Sequence, residues 1–168
     1  ESKFDKSLRG TDSLSASEER GRKLFFTEFD PTNKLRGAEC FHCHASANFT
    51  NDDYMNNGLD LDSQFKDLGR YKVTNLDKDK ARFKVPSLRN IEHTAPYMHD
   101  GRFATLEEVI DHYNGGVKNS KTVDQLLQYN LQPGGLKLTI EEKADLIAFL
   151  KTLSDPNFLT NAAFKTPF

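Results

Sequence analysis

Apolar residues recur at helical spacing in three stretches of the chain, at 13–26, 105–116 and 138–156. Each stretch opens with a Ser or Thr that is followed three residues later by Glu, the spacing of a capping box. The three pairs are Ser15 and Glu18, Thr105 and Glu108, and Thr139 and Glu142. We therefore expect three helices, whose inward faces are formed by Gly21, Leu24 and Phe25, by Leu106, Val109, Ile110 and Tyr113, and by Ile140, Ala144, Ile147 and Leu150.

The segments between these helices lack a regular apolar pattern. Residues 51–84 are polar and charged, and residues 85–103 contain two prolines and a glycine, so both segments predict loops and turns. No run alternates strongly enough to predict a strand. The predicted fold class is therefore all-α with long loops. On the second helix, His112 lies about 100° from the apolar face, so we expect it to face solvent.

Composition narrows the class of protein. The chain has 168 residues and a formal net charge of −2, which fits one domain and gives no reason to expect nucleic acid or an anionic membrane as partner. No apolar run is long enough to span a bilayer. The chain opens ESKFDKSLRG, without an initiator Met or a signal peptide, which is typical of a processed product or a piece of a longer protein. Mean hydropathy is low, so a buried prosthetic group would enlarge the core.

The candidate chemistry concentrates in the segment GAECFHCHASANF at 37–49, which holds the only two cysteines, Cys40 and Cys43. A redox dithiol normally follows a strand in a βαβ unit, and no strand is predicted before Cys40. A structural zinc site needs a second ligand pair at short spacing, which the remaining histidines do not provide. His44 directly follows Cys43 and completes the C-x-x-C-H spacing of covalent haem attachment. We therefore expect one haem c, bonded to Cys40 and Cys43, with His44 as proximal iron ligand.

The second axial ligand of the iron decides what such a haem does, because Met raises the reduction potential and a tyrosinate lowers it. Met98 lies in the loop TAPYMHDG, and Tyr113 lies on the apolar face of the second helix. Met55 falls in an Asn- and Asp-rich loop, where packing is the better interpretation. From spacing alone, Met98 and Tyr113 both remain open as distal ligands.

Four stretches resemble the C-terminal haem domain of the bacterial dihaem cytochrome c peroxidase and MauG family. They are LSASEERGRKLFF, CFHCH, FKVPSLRNIEHTAPYMHDGRFATLEEVIDHYN and ADLIAFLKTL. The resemblance implies a cytochrome c-like haem domain at 15–155, with a segment similar to the family's interdomain linker at 1–14 and a C-terminal tail at 156–168. The two terminal helices of cytochrome c folds cross at close range, so Gly21 would lie at that crossing beside an aromatic residue such as Phe149.

The resemblance also implies roles for single residues. In the peroxidases a Met lies fourteen residues after the His of the HDG motif, and in MauG that position is Tyr. Counted from His99, the position is Tyr113 here, which favours Tyr113 as distal ligand with Met98 as the alternative. Family positions near the haem and the domain interface correspond to His99, a candidate catalytic residue, and to Arg89, a candidate haem-binding residue.

Two functions follow from these expectations. The first is a haem domain of a periplasmic dihaem peroxidase or MauG-like enzyme, whose six-coordinate haem transfers electrons to a peroxide-reactive haem in a missing N-terminal half. Its partners would be that N-terminal haem domain and a small donor protein, a cytochrome c or a cupredoxin. A calcium ion would lie between the domains, held partly by the backbone carbonyls of Thr94 and Pro96. The alternative is a stand-alone monohaem electron carrier, in keeping with the single haem motif of this chain.

Overall fold

The structure, a computed structural model, describes residues 1–158 and 160–164. Its helices are α1 (Lys3–Leu8), α2 (Ala16–Phe25), α3 (Tyr71–Thr74), α4 (Leu106–Asp111) and α5 (Ile140–Lys151). Two short antiparallel strands, β1 (Tyr54–Met55) and β2 (Phe83–Lys84), pair Tyr54 with Lys84 and Met55 with Phe83. The predicted tail at 156–168 includes residues 159 and 165–168, which lie outside the described residues.

The three predicted helices are confirmed as α2, α4 and α5, each with its predicted capping box. At α2 the Ser15 hydroxyl accepts a hydrogen bond from the Glu18 amide, and the Glu18 carboxylate accepts one from the Ser15 amide. Equivalent pairs begin α4 and α5. These exchanges satisfy amide groups that a helix start leaves without partners, and a cap of this kind stabilises by about 1 kcal/mol. The Ser or Thr and Glu pattern therefore marks where each helix begins.

Helices α2 and α5 cross at close range, as predicted. A side-chain carbon at Gly21 would collide with the Asp145 carbonyl and with Phe149 Cβ, so only glycine lets the two backbones approach this closely. Beside the crossing, the buried carboxylate of Asp145 accepts hydrogen bonds from Ser17 Oγ at 2.5 Å and from Arg20 Nε at 2.7 Å. The Arg20 hydrogen bond is the main cause that holds the pKa of Asp145 below its ordinary value. The carboxylate therefore stays ionised and ties α5 to α2.

The buried face of α5 differs in part from the prediction. Ile147 and Leu150 are buried as expected, whereas Ile140 is 78% exposed and Ala144 is also exposed. The first turn of the helix lies before its crossing with α2, and burial begins only at Asp145, where the two helices meet. Packing against α2, rather than the apolar pattern of α5 itself, therefore selects which side chains are inside.

Aromatic rings fill the core next to this crossing. Phe4, Phe25, Phe49 and Phe149 meet edge-to-face, with ring centroids 5.3 to 5.8 Å apart. Such pairs add about 0.5–1.5 kcal/mol beyond the burial of the rings. Phe4 comes from α1, so the segment at 1–14, predicted to resemble an interdomain linker, contributes a helix and a buried ring to the core of this domain.

Helices and long loops thus make up most of the fold. The β1–β2 pairing is the one strand pair of the described residues, and it closes the base of the polar segment predicted as loop. In the part of the chain that the structure describes, no helix is both long enough and apolar enough to cross a membrane.

Candidate haem site

The C-x-x-C-H motif forms a tight turn soon after α2. The Ala38 amide donates to the Leu24 carbonyl at 2.8 Å, which ties the motif to the end of that helix. Cys40 begins a short 3-10 turn, and the His44 amide donates to the Cys40 carbonyl at 2.9 Å. The three predicted haem-binding residues, Cys40, Cys43 and His44, therefore lie in one closed loop of backbone.

Both thiols are half-buried near the phenol of Tyr113, and we call this region of the protein the haem crevice. Cys40 and Cys43 form no disulfide, and both side chains keep partial access to solvent. Burial nevertheless raises the pKa of Cys40 to about 12 and the pKa of Cys43 to about 11. Neither thiol ionises near neutral pH, which argues against a redox dithiol, since its attacking sulfur needs a lowered pKa.

The imidazole of His44 is oriented by a backbone carbonyl. Its Nδ1 lies 3.0 Å from the Phe49 carbonyl oxygen, so Nδ1 donates and Nε2 keeps the lone pair that binds a metal. Burial lowers the pKa of His44, although the carbonyls of Phe49 and Pro86 act in the opposite direction. The ring is therefore neutral at neutral pH, the form in which histidine ligates iron.

Both candidates for the distal ligand meet a single side-chain amide. Asn57 Nδ2 lies 3.3 Å from Met98 Sδ and 3.5 Å from the Tyr113 hydroxyl. Burial raises the pKa of Tyr113 to about 12, the Asn57 hydrogen bond opposes this, and negative charge on Cys43 or Cys40 would add to it. The phenol of Tyr113 therefore lies in the same crevice as the two thiols.

Sequence reasoning missed Asn57. It belongs to a loop that is held against the segment at 118–124, because Asn56 Nδ2 donates to Ser120 Oγ at 3.1 Å and to Thr122 Oγ1 at 2.9 Å. The turn continues through Gly58, whose φ of +67° favours glycine. The signal in the sequence is the turn-forming triplet Asn-Asn-Gly at 56–58, which predicts a turn but not what the turn contacts.

The prediction that His112 faces solvent is wrong. The side chain is only 6% exposed, and its Nε2 donates to the Asn57 carbonyl at 2.9 Å. The helical geometry behind the prediction ends at Asp111, because residues His112–Gly116 form a wider π-helical turn. The loop at 56–58 also covers this side of the turn. His112 therefore supports the backbone of Asn57, whose amide meets Tyr113.

His99 and Arg89, the other residues predicted to lie near the haem, contact protein groups. His99 is exposed and stacks on Phe83, with ring centroids 3.7 Å apart. Arg89 donates to both carboxylate oxygens of Asp5, at 2.9 and 2.8 Å, so its guanidinium is engaged by protein groups instead of the predicted cofactor. Roles for His99 and Arg89 at a haem stay predictions.

Thr94 and Pro96, the predicted calcium-binding residues, lie in an exposed loop. No group of three or more His, Cys, Asp or Glu side chains within residues 1–158 and 160–164 could hold a metal ion. These residues therefore offer no further side-chain ligands for a zinc ion at Cys40 and Cys43. Calcium binding through the backbone carbonyl oxygens of Thr94 and Pro96 stays a prediction.

The donor set fits a covalently bound haem. The two protonated thiols lie near the phenol of Tyr113, and Met98 meets the same side-chain amide as that phenol. The neutral imidazole of His44, with Nε2 available, directly follows Cys43 in the chain. These are the groups that haem c uses, two thioether bonds and two axial ligands. The fold and the site together define a c-type cytochrome domain.

No protein-family model matches the chain. It is 36% identical to the methylamine utilization protein MauG of Methylorubrum extorquens over 165 residues, 95% of this chain and 41% of that protein. It is 33% identical to the cytochrome c551 peroxidase of Nitrosomonas europaea over 162 residues, 94% of this chain and 41% of that protein. The chain belongs to the family of dihaem cytochrome c peroxidases and MauG, aligns with the C-terminal part of these relatives and spans less than half of their length.

Solved structures agree with this assignment. A MauG-like protein associated with microbial copper homeostasis superposes with a TM-score of 0.85 at 36% identity, covering 99% of this chain and 52% of that one. The dihaem peroxidase BthA of Burkholderia thailandensis has a TM-score of 0.69 at 21% identity, covering 94% of this chain and 47% of that one, which shows the shared fold. The chain is therefore a haem domain of the dihaem peroxidase and MauG type.

Proposed function

We propose that this all-α, cytochrome c-like domain carries the six-coordinate electron-transfer haem of a periplasmic dihaem oxidoreductase, with His44 and Tyr113 as axial ligands. The observation that carries the proposal is the half-buried phenol of Tyr113, which lies near the thiols of Cys40 and Cys43 and 3.5 Å from Asn57 Nδ2. Bound haem supplies one-electron redox chemistry, and two protein ligands leave it no open position. A periplasmic location follows because haem attachment of this type takes place outside the cytoplasmic membrane.

The surroundings favour Tyr113 over Met98. The Asn57 amide N–H is a good donor to a phenolate oxygen and a much weaker one to a thioether sulfur. The Tyr113 carbonyl in turn accepts from Asn130 Nδ2 at 2.5 Å, which fixes the backbone that carries the phenol. Met98 lies in a loop at a φ of 72° and packs beside the same amide. These contacts support a tyrosinate ligand, which stabilises ferric iron.

Ferric optical and EPR spectra of the haem-loaded protein test this ligand assignment. Tyr113→Phe removes the hydroxyl and keeps the ring, so we expect the ligand field of the iron to change. Met98→Leu is the matched control, because it removes the sulfur from the same crevice at similar volume, and its spectrum should stay close to wild type. A changed spectrum in Met98→Leu together with an unchanged one in Tyr113→Phe would reverse the assignment.

The electron partner in this proposal is an N-terminal haem domain, because the chain spans only 41% of MauG and of the Nitrosomonas peroxidase. A small cytochrome c or cupredoxin would supply electrons from outside. A tyrosinate ligand favours the MauG-like variant, which oxidises a protein side chain, over reduction of hydrogen peroxide by a donor protein. The second candidate, a stand-alone electron carrier, is favoured by the single C-x-x-C-H motif of the chain.

A further inference from the structure

The turn that follows His44 carries the carbonyl that orients the proximal imidazole. We call this turn, residues 45–50, the proximal loop. The Thr50 amide donates to the Ala45 carbonyl at 2.9 Å and closes the loop. Within it, the Phe49 carbonyl lies 3.0 Å from His44 Nδ1 and accepts its hydrogen bond. A movement of the proximal loop therefore changes the hydrogen bond on the proximal imidazole.

The guanidinium of Arg89 holds the proximal loop from outside. Its Nε and one terminal nitrogen donate to the Ala47 carbonyl at 2.9 and 2.6 Å. Its Cζ lies 5.1 Å from the centroid of the Phe49 ring, a cation–π contact. Arg89 therefore contacts the loop twice, and one of the contacts is with the residue whose carbonyl His44 uses.

The carboxylate of Asp5 fixes the orientation of this guanidinium. The two terminal nitrogens of Arg89 donate to Asp5 at 2.9 and 2.8 Å, and one of them also donates to Ser2 Oγ at 3.1 Å. Together with the two bonds to Ala47, these contacts match the five N–H groups of a guanidinium. A lysine carries its three N–H groups on a single nitrogen and lacks this planar fork. The bridge from Asp5 to Ala47 therefore requires an arginine.

Helix α1, which carries Asp5, is itself held in place at two further points. The Phe4 amide donates to the Thr152 carbonyl at 3.0 Å, at the end of α5. The Phe4 ring meets the Phe49 ring edge-to-face, with centroids 5.6 Å apart. α1 therefore contacts the proximal loop through an aromatic ring as well as through the ion pair, and α5 supports it from behind.

We propose that Asp5 and Arg89 are positioning residues for the proximal ligand of the haem. Their ion pair holds the proximal loop so that the Phe49 carbonyl stays within reach of His44 Nδ1. The proposal rests on the proposed function, since it concerns the imidazole that would bind the iron. An acceptor at Nδ1 makes the imidazole a stronger donor through Nε2, which stabilises ferric iron and lowers the reduction potential. α1, in the segment predicted to resemble a linker, thereby belongs to the haem site.

The reduction potential of the haem-loaded protein tests this role through a substitution that keeps every charge. Arg89→Lys retains the cation and loses the bridge between Asp5 and Ala47, so we expect the potential to rise. Arg20→Lys is the matched control, because Arg20 donates to both carboxylate oxygens of Asp145 at 2.7 and 2.8 Å. Each variant loses the geometry of one ion pair, and Arg20→Lys should keep the wild-type potential. A purely structural role would therefore not separate the two variants.

Asp5→Glu tests whether the two residues act as one unit. It keeps the charge and displaces the carboxylate by one methylene, so the potential should again rise. In the double variant of Asp5→Glu with Arg89→Lys, the shift should be smaller than the sum of the two single shifts, because both changes break the same bridge. Additive shifts would refute the positioning role of Asp5.

Covalent haem content, measured first, separates this inference from the proposed function. Absence of haem from the wild type would refute the function itself. With normal haem content, an Arg89→Lys potential equal to that of Arg20→Lys, or below it, would refute only the positioning role. A changed pH dependence of the potential without a rise would place Arg89 at a haem propionate and would also overturn the proposal. If Arg89→Lys does not fold, Asp5→Glu replaces it, with Asp145→Glu as its control.

Discussion

The proximal imidazole depends on a backbone carbonyl that the aromatic core holds in an uncommon conformation. Phe49 has a φ of 52°, in the left-handed region that bulky residues rarely adopt. Its ring is 2% exposed and packs edge-to-face on Phe4 and Phe25. Such a backbone conformation costs about 1–3 kcal/mol, which the packing of the ring offsets. The core therefore keeps the Phe49 carbonyl where His44 can donate to it.

Also at the residue scale, His112 predicts how stability depends on pH. Burial lowers its pKa below the ordinary value of 6.5, so the unfolded chain takes up a proton at a higher pH than the folded protein does. The contribution to stability is therefore present above about pH 6.5 and is lost as the pH falls through the lower, folded pKa. We expect the free energy of unfolding of the haem-loaded protein, measured with urea, to decrease from about pH 7 to about pH 5. His112→Gln should flatten this slope.

His93→Gln is the matched control for that experiment, because His93 is an exposed histidine, and it should keep the wild-type slope. Carboxylates such as Asp145, whose pKa is held below its ordinary value of 3.8, contribute only at lower pH and do not mask this range. If the slope in His112→Gln equals the wild-type slope, the buried imidazole is not the group that titrates.

At the scale of elements, the π-helical turn after α4 decides which side chains reach the crevice. Backbone carbonyls of this turn accept hydrogen bonds from amides elsewhere in the chain. The Asn114 carbonyl accepts from the Leu136 amide at 2.9 Å, and the Asn114 side-chain oxygen accepts from the Leu138 amide at 2.8 Å. The loop at 130–138 thus holds the turn in the shape that brings Tyr113 to the crevice and His112 to Asn57.

The same elements explain what can be predicted from the sequence. Capping boxes, apolar faces and the C-x-x-C-H spacing are local patterns, so α2, α4, α5 and the proximal side of the site follow from them. The π-helical turn and the contacts of Asn57 depend on donors far along the chain, and two-residue strands are too short to show alternation.

The α2–α5 crossing makes a prediction about one element pair. In Gly21→Ala the new Cβ would collide with the Asp145 carbonyl and with Phe149, so the helices must separate. We expect a loss of about 3 kcal/mol in the free energy of unfolding, measured with urea. The higher helix propensity of Ala offsets only about 1 kcal/mol of this loss.

Gly115→Ala is the matched control for the crossing. A Cβ added there meets no heavy atom of the described residues within 4 Å, and its backbone is not left-handed. Its stability should change by less than about 1 kcal/mol. Similar unfolding free energies for the two variants would contradict a close approach of the helices at Gly21.

At the scale of the whole molecule, the domain leaves several large apolar side chains in contact with solvent. Val73 is 85% exposed, Ile140 is 78% exposed and Leu8 is 70% exposed. Single exposed apolar residues are normal on a soluble surface. Their presence here is also in keeping with the relatives, in which this domain is one part of a longer chain.

The haem count of the natural protein decides between the two functions. Because the chain spans 41% of MauG and of the Nitrosomonas peroxidase, we expect the protein purified from the periplasm to be about twice the 19.1 kDa of this chain or larger. Thioether-bound haem stays on the polypeptide after denaturation, so mass spectrometry of the denatured protein should show the mass of two haems per polypeptide.

Replacing both Cys40 and Cys43 by Ala should remove one of these haems and leave the other, because the second haem would be bonded to another domain. A matched Met55→Leu variant changes a neighbouring sulfur that forms no thioether, and it should keep both haems. A natural protein of 19.1 kDa with a single covalent haem, which the double variant loses completely, would instead establish the electron carrier. The Tyr113 ligand would then set the potential of a carrier, since no peroxide-reactive partner would share its chain.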